Sequence, residues 1–325
     1  MFRKTWLFAV LVLGFSLGSS ALHAQSSPYP SRPIRIIVPF APGGSADVAA
    51  RILSQRLSEI LKQSVFVENK AGAGASIGVQ YVANAAPDGY TYLMTSPALL
   101  VNAAWSGNAG YDPDKDFAPV SMASNTPMGI FVGEKVNANT LEELKQLAFK
   151  EKLSYATAGN ATPPNITCEN LFNLIWKADI THIPYKGSGP ALLATVAGET
   201  AITCGAMTGV SQFAKQGKVK VLAISSEKHL ASLPNVPTLT ELGYPNLRND
   251  LWNGVFAPAK TPLAIREKMN QAINIALLNP ELLEKYDQND LLPFGGNIKQ
   301  TTEFVAAESE RWNKTIKEMK AKAPK

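Results

Sequence analysis

Cysteine is almost absent from this chain, with two in 325 residues, Cys168 and Cys204. Two thiols cannot build a Cys-rich zinc module or the disulfide scaffold of a small secreted domain. Histidine is nearly as scarce, with three in all. His182 and His229 stand alone, so no ligand cluster for a metal is available, and no metal or cofactor is expected. Charged residues make up only 18%, and the formal charge of +5 drops to +3 without Arg3 and Lys4. A charge that small does not make a nucleic-acid binder. Beyond the N-terminal segment no apolar run reaches the roughly 18 residues of a membrane-spanning helix.

What is present suits a globular protein of two domains or one large one, with 46% hydrophobic residues, 23 Gly and 22 Pro. The chain opens Met1-Phe2-Arg3-Lys4, then runs apolar from Trp6 to Leu17, then small through Ser19, Ser20, Ala21 and Ala24. That is the form of a secretory signal peptide over 1–24, with cleavage after Ala21 or Ala24 and an uncleaved anchor as the alternative. Export makes a Cys168–Cys204 bridge chemically allowed; over this separation it would contribute roughly 4 kcal/mol in the chain-entropy estimate. A domain of this size does not need it, and two buried, unpaired thiols are the expectation.

Hydrophobic periodicity then alternates between strand and helix. Ile34 to Phe40 reads as a buried strand, and Val48, Ile52, Leu53, Leu57, Ile60 and Leu61 form one helix face. Val65 to Asn69 and Thr91 to Thr95 are strands around a helix from Ser76 to Ala85. Two strand-like runs, Ala118 to Ala123 and Met128 to Val132, lead into a second series of alternating elements. The segment Ser232 to Asp250, with Pro234, Pro237, Gly243 and Pro245, reads as an exposed connection between domains. Helices from Leu263 to Leu278, Pro280 to Asp287 and Ile298 to Lys320 end the chain. Such alternation predicts an α/β protein, each domain a doubly wound parallel sheet.

Gly74-Ala75-Ser76-Ile77-Gly78 matches the nucleophile elbow of a secreted serine hydrolase. Six residues separate Ser76 from the end of the strand at Asn69, and no histidine follows His229, so the triad lacks its base. Gly72, Gly74 and Gly78 follow the second strand rather than the first, which argues against a dinucleotide turn. The informative feature is a pair of small-residue loops, each ending a strand and opening a helix. At Pro42-Gly43-Gly44-Ser45-Ala46-Asp47 glycine lets backbone N–H groups approach a ligand at the positive end of a helix. Thr157-Ala158-Gly159-Asn160-Ala161-Thr162 repeats this in the second unit, with Thr162 as N-cap and Pro163 as first helical residue. Facing each other across a cleft, the two loops could clamp a carboxylate without Arg or Lys.

These residues carry a resemblance. Tyr29-Pro-Ser-Arg-Pro-Ile-Arg, Val38-Pro-Phe-Ala-Pro-Gly-Gly-Ser-Ala-Asp47, Val67-Glu-Asn-Lys-Ala-Gly-Ala-Gly-Ala75 and Ala86-Pro-Asp-Gly-Tyr-Thr91 come in order. Tyr111-Asp-Pro-Asp-Lys-Asp-Phe-Ala-Pro-Val120, Tyr155-Ala-Thr-Ala-Gly-Asn160, Ile183-Pro-Tyr-Lys-Gly187 and Ala257-Pro follow. Across essentially the whole chain after the signal segment, the sequence resembles the Bug family, the extracytoplasmic receptors of tripartite tricarboxylate transporters. The resemblance implies a type II-like Venus-flytrap periplasmic binding protein that closes on a small organic carboxylate and delivers it to membrane permease subunits. A monomer in the periplasm is expected, with no catalysis and no nucleic-acid partner. A receptor serving a periplasmic signalling domain is the alternative.

Domain I would take residues 28–127 plus 256–325 and domain II 128–255, with crossings near 125–129 and 250–256. Carried over residue by residue, the resemblance names Phe40, Ala41, Gly43, Gly44, Ser45 and Asp47 on one side of the cleft, Asp47 ordering its loop. On the other side it names Thr157, Ala158, Gly159, Asn160 and Thr162. Ser96 and Tyr185 with Lys186 are further candidates, a solvated lysine being the default for Lys186. Family members often read Gly-Asn-Gly-Thr-Ser-Gln-His where this chain has Gly159-Asn160-Ala161-Thr162-Pro163-Pro164-Asn165. Members that bind amino acids can carry an acid where this chain has Gly205. Cys204, Met207 and Trp252, near Gly205 by alignment, could cover the apolar or aromatic body of the ligand or could equally be core.

Overall fold

The computed structural model describes residues 29–322; the predicted signal peptide over 1–24 lies outside them. Five-residue strands β1 (Ile34–Val38), β2 (Val65–Asn69) and β3 (Thr91–Thr95) alternate with helices α1 (Ser45–Leu61) and α2 (Ser76–Ala83). A helix absent from the sequence reading, α3 (Ala98–Ser106), follows β3. Its side chains, Ala98 to Asn102, are buried. It is apolar nearly all round, so no amphipathic period marked it.

Next comes β4 (Phe117–Gly133), a single strand of 17 residues where two short runs were expected. The strand absorbs irregularity in register shifts between Pro119 and Ser121 and between Met122 and Ser124. The second series runs α4 (Leu141–Ala148), β5 (Leu153–Thr157), α5 (Pro163–Glu169), β6 (Ile180–Pro184) and α6 (Ser188–Ala197). It continues through β7 (Ile202–Ala206), α7 (Val210–Lys215) and β8 (Val219–Ile224). Then β9 (Asp250–Pro258) leads back to α8 (Leu263–Ala276), α9 (Pro280–Asp287), β10 (Leu292–Pro293) and α10 (Ile298–Lys322).

The strands hydrogen-bond in the order β2-β1-β3-β9-β4-β7-β5-β6, with β8 and β10 also on β4. β1, β2 and β3 are parallel, as are β5, β6 and β7, while β9 and β4 run antiparallel to their neighbours. Each half is therefore a parallel sheet with antiparallel strands added where the chain crosses over. β4 makes the crossing: Phe117 to Pro127 pair with β9, and Met128 to Val132 pair with β7.

The hydrophobic cores divide at the same place. One packs residues from Ile34 to Ala123 with residues from Trp252 to Met319, Ile166 being the single buried member from elsewhere. A second packs residues from Met128 to Leu251, beside a smaller cluster around Phe131, Met207 and Val210. The expected unpaired thiols are instead a disulfide, Cys168–Cys204, with Cα atoms 6.5 Å apart. The sequence could not bring them together; α5 packing on β7 does. Among the described residues no helix is long and apolar enough to cross a membrane.

Candidate functional site

The halves close on one another through glycine. The Ala41 N–H donates to the Lys186 carbonyl at 2.7 Å, linking the loop after β1 to the loop after β6. A Cβ on Gly189 would stand 2.7 Å from the Pro42 carbonyl oxygen, and one on Gly74 would stand 2.3 Å from the Asn160 carbonyl oxygen. Two backbone-on-backbone contacts thus form the lips of a cleft, and only residues without a Cβ permit them.

Behind the lips is a tight cavity of about 20 Å³ lined by Phe40, Gly44, Ser45, Ala46 and Ser96 from the first half. Ala158, Thr162, Pro163, Pro164, Ser188 and Leu251 line it from the second. None of these side chains is charged. The helices α1, α5 and α6 begin at the cavity on Gly44, Thr162 and Gly187 without a side-chain cap. Helix α5 is short but runs on as a π-helical turn over Asn170–Ile175. Away from the cavity, Thr140 caps α4 and Asn279 caps α9. Uncapped first-turn N–H groups and the hydroxyls of Ser45, Ser96 and Ser188 make a site that donates hydrogen bonds and favours an anion, while the Thr162 hydroxyl proton is held by the Gly159 carbonyl. Phe40, the prolines and Leu251 supply an apolar wall.

The first loop is tied down by Asp47, which is buried. Its carboxylate accepts from the Gly43 N–H at 3.0 Å, Asn69 Nδ2 at 2.8 Å and Arg51 Nε at 3.1 Å. Asn69 Nδ2 also donates to the Phe40 carbonyl at 3.0 Å. Of the two loop glycines only Gly43 is left-handed, at φ +91°, whereas Gly44 has φ −87°. Gly44 faces the second half closely, since a Cβ there would lie 3.6 Å from the Ser188 N, in van der Waals contact.

The second loop is held by neutral groups. Thr157 Oγ1 accepts the Gly159 N–H at 3.2 Å, and Thr162 Oγ1 donates to the Gly159 carbonyl at 2.8 Å. Thr162 occupies the N-cap position of α5 but does not cap through its side chain. Asn165 Oδ1 accepts the Ala161 N–H at 3.0 Å.

Several expected contacts lie elsewhere. Cys204 is fully buried in the second core and bonded to Cys168, so it presents no thiol to the cleft. Met207 is fully buried with its sulfur over Gly129. Trp252 packs in the first core and donates from Nε1 to Glu308 at 2.8 Å, next to a separate pocket with Arg248, Asp250 and Arg311. Of the two alternatives, ligand cover or core, all three take the core, because neighbouring side chains on a strand turn to opposite faces. Asn160 turns to an outer groove with Trp105 and Lys177, and Tyr185 donates to Glu199. Ala41, Thr157 and Gly159 support the lining rather than join it. Gly205 lies one layer behind, where a Cβ would be 3.8 Å from Ser188 Oγ.

Sequence reading missed Ser188, the two prolines, Ala46 and Leu251. Gly187-Ser188-Gly189 is a third small-residue loop between strand and helix, and the criterion that found the other two would have found it. Ser76 opens α2 and donates to Asn102 Oδ1 at 3.0 Å, so the elbow motif is a buried structural turn. A larger, open concavity lined by Arg35, Phe66, Lys70 and Tyr81 lies on the first half alone.

Residues 49–321 match the tripartite tricarboxylate transporter family receptor. The chain is 35% identical over 324 residues to Protein BugT of Bordetella pertussis, covering 98% of this chain and 99% of that one. Among solved structures it is similar to a R. palustris protein with adipate, at TM-score 0.84 and 29% identity over 89% of this chain and 97% of the other. It is likewise similar to MatC from Rhodopseudomonas palustris with bound malate, at TM-score 0.82 and 30% identity over 89% of this chain and 100% of that chain.

Proposed function

The chain belongs to the tripartite tricarboxylate transporter receptor family, and from that membership we propose that it captures a small organic carboxylate in the periplasm and hands it, chemically unchanged, to membrane permease subunits. The observation that carries the ligand class is the uncharged cavity, with three hydroxyls and three helix N-termini around an apolar wall. Fixed dipoles of this kind stabilise a carboxylate without a counter-cation. The adipate and malate held by the two R. palustris relatives support the same reading.

The preferred ligand is an aliphatic or aromatic mono- or dicarboxylate without an amine. No acidic side chain lines the cavity, and Gly205 offers none behind it. An unpaired ammonium enclosed there would be disfavoured by several kcal/mol. The protein works as a monomer of two domains that hinge on β4 and β9, domain I being 28–127 plus 256–325 and domain II 128–255. An open form takes the carboxylate on one domain, and closure completes the contacts and creates the surface the permease reads.

Calorimetric titration of malate, adipate, terephthalate, citrate, aspartate and glutamate in one buffer tests this. Binding of at least one amine-free acid is expected, weakened by Ser45→Ala, Thr162→Val and Ser188→Ala. An amino acid binding at micromolar Kd while every amine-free acid fails would overturn the ligand class.

A further inference from the structure

The second-domain loop leans on one histidine. His182, on β6, pairs with Tyr155 on β5, and their rings are 4.8 Å apart. Its Nε2 is 2.8 Å from Thr157 Oγ1, and its Nδ1 is 3.4 Å from Asn165 Nδ2.

Proton positions in this cluster follow from one unambiguous donor. The Ala161 backbone N–H can only donate, and Asn165 Oδ1 accepts it at 3.0 Å. That settles which end of the Asn165 amide is oxygen, so the group turned to His182 is the NH2, and Nδ1 must accept. A neutral imidazole that accepts at Nδ1 carries its proton on Nε2. The Nε2–H therefore donates to Thr157 Oγ1, which leaves the Thr157 hydroxyl proton for the Gly159 carbonyl at 3.1 Å. The Thr162 hydroxyl donates to that same carbonyl. Hydrogen bonds thus connect the imidazole through the Thr157 hydroxyl to the Gly159 carbonyl, and through Asn165 to the Ala161 N–H.

We propose that His182 is a positioning residue for the loop 157–162, working as the neutral Nε2–H tautomer, and that protonating the ring releases the loop and weakens carboxylate binding. The binding half of this rests on the receptor reading above. A second proton, on Nδ1, would face the Asn165 NH2, donor against donor. Asn165 could answer only by turning its amide over, which would strand the Ala161 N–H. Ala161 has φ +51°, a left-handed conformation that is unfavourable for a residue with a Cβ. The bond to Asn165 holds it there. The titratable groups facing the ring are Tyr155 on β5 and Glu169 on α5, whose carboxylate accepts the Tyr155 hydroxyl at 2.8 Å. Burial lowers the His182 pKa from the usual histidine value and outweighs Glu169, which acts in the opposite direction. The ring is accordingly neutral at pH 7 and charges on the acid side.

Nitrogen-15 NMR of the imidazoles in the ligand-free protein tests the tautomer, with His182→Gln identifying the signal. The expected result is a neutral Nε2–H ring at pH 7.5, with the Gly159 and Ala161 amide resonances moving as His182 titrates and static in His182→Gln. An Nδ1–H tautomer, an imidazolium at pH 7.5, or loop amides that ignore the titration would overturn the proposal.

Calorimetry with adipate and malate at pH 7.5 and 5.5 tests the consequence for binding. Glutamine keeps an N–H near the Nε2 position without titrating, so it cancels the ligand's own protonation. Wild-type affinity should fall between these pH values at least threefold more than that of His182→Gln, and His182→Leu should bind at least tenfold more weakly at pH 7.5. Equal pH dependence in wild type and His182→Gln, or wild-type affinity in His182→Leu, would overturn it. If neither acid binds the wild type, the receptor reading loses its support, and the ligand-free NMR still decides the role of His182.

Discussion

The Phe40–Asp47 loop is organised around a buried carboxylate, and the Thr157–Thr162 loop around hydroxyls and an imidazole. Both end a parallel strand, open a helix and turn an uncapped helix start to the same cavity. They differ in what holds them. Asp47 gathers donors from the Gly43 backbone, Arg51 and Asn69, an arrangement in which each hydrogen bond involves a charge. Thr157, Thr162, Asn165 and His182 form a chain of neutral bonds in which the Asn165 link to Ala161 depends on the ring staying neutral. Similar backbone shapes thus form two jaws, one held by an ionic anchor and the other by neutral hydrogen bonds.

The disulfide sharpens this contrast most. It ties α5, which begins at the cavity, to β7, and the first domain has no counterpart among the described residues. Replacing Cys168 and Cys204 together by Ser should lower stability to urea by roughly 4 kcal/mol in the chain-entropy estimate, loosening the second jaw and leaving the first. Equal stability of both proteins would show that the bridge is incidental.

Asp47→Ala against Thr157→Val comes next. The first variant strands several donors in a buried site and should cost about 2–4 kcal/mol of stability, the second only ~1 kcal/mol. Similar losses in urea unfolding would erase the distinction between an ionic and a neutral anchor.

Closure itself can be broken without touching either anchor. Gly189→Ala places a Cβ 2.7 Å from the opposing Pro42 carbonyl oxygen, a backbone atom that cannot step aside. A loss of carboxylate affinity of about a hundredfold, near 2.7 kcal/mol, is expected with an unchanged melting temperature. Unchanged affinity would mean that binding does not need the closed form.

Ala161→Gly should relieve the left-handed backbone of the second loop and raise stability by ~0.5–1 kcal/mol. Lower stability would show that Ala161 makes contacts worth more than its strain. The smallest effect belongs to Lys186→Ala. Its side chain is absent from the cavity lining and its carbonyl, not its ammonium, meets Ala41. A change in affinity within about threefold is expected; a hundredfold loss would show that a cation carries the site.

Much of this architecture is local and therefore legible in the chain. The alternating periods mark β1, α1, β2, α2 and β3 to within a few residues, and Gly43-Gly44 and Ala158-Gly159 mark the loops that reach the cavity. Thr162 and Pro163 sit where capping preferences put them. What escaped has no local signature. α3 is apolar nearly all round, so its sequence has no polar face to set a period. β4 continues through Pro127 because β9 on one half and β7 on the other supply partners from distant parts of the chain.

By itself, then, the sequence determined that the protein alternates strand and helix in two series and opens helices on small, uncharged loops, because propensity, periodicity and glycine's freedom act over a few neighbouring residues. Only the tertiary structure decided that Cys168 meets Cys204, that Met207 and Trp252 turn to the core, that Ser188 completes the cavity, and that His182 stands behind Thr157. Each of those is a relation between segments far apart in the chain, settled by which faces of the sheets the packed domains leave open to the cleft.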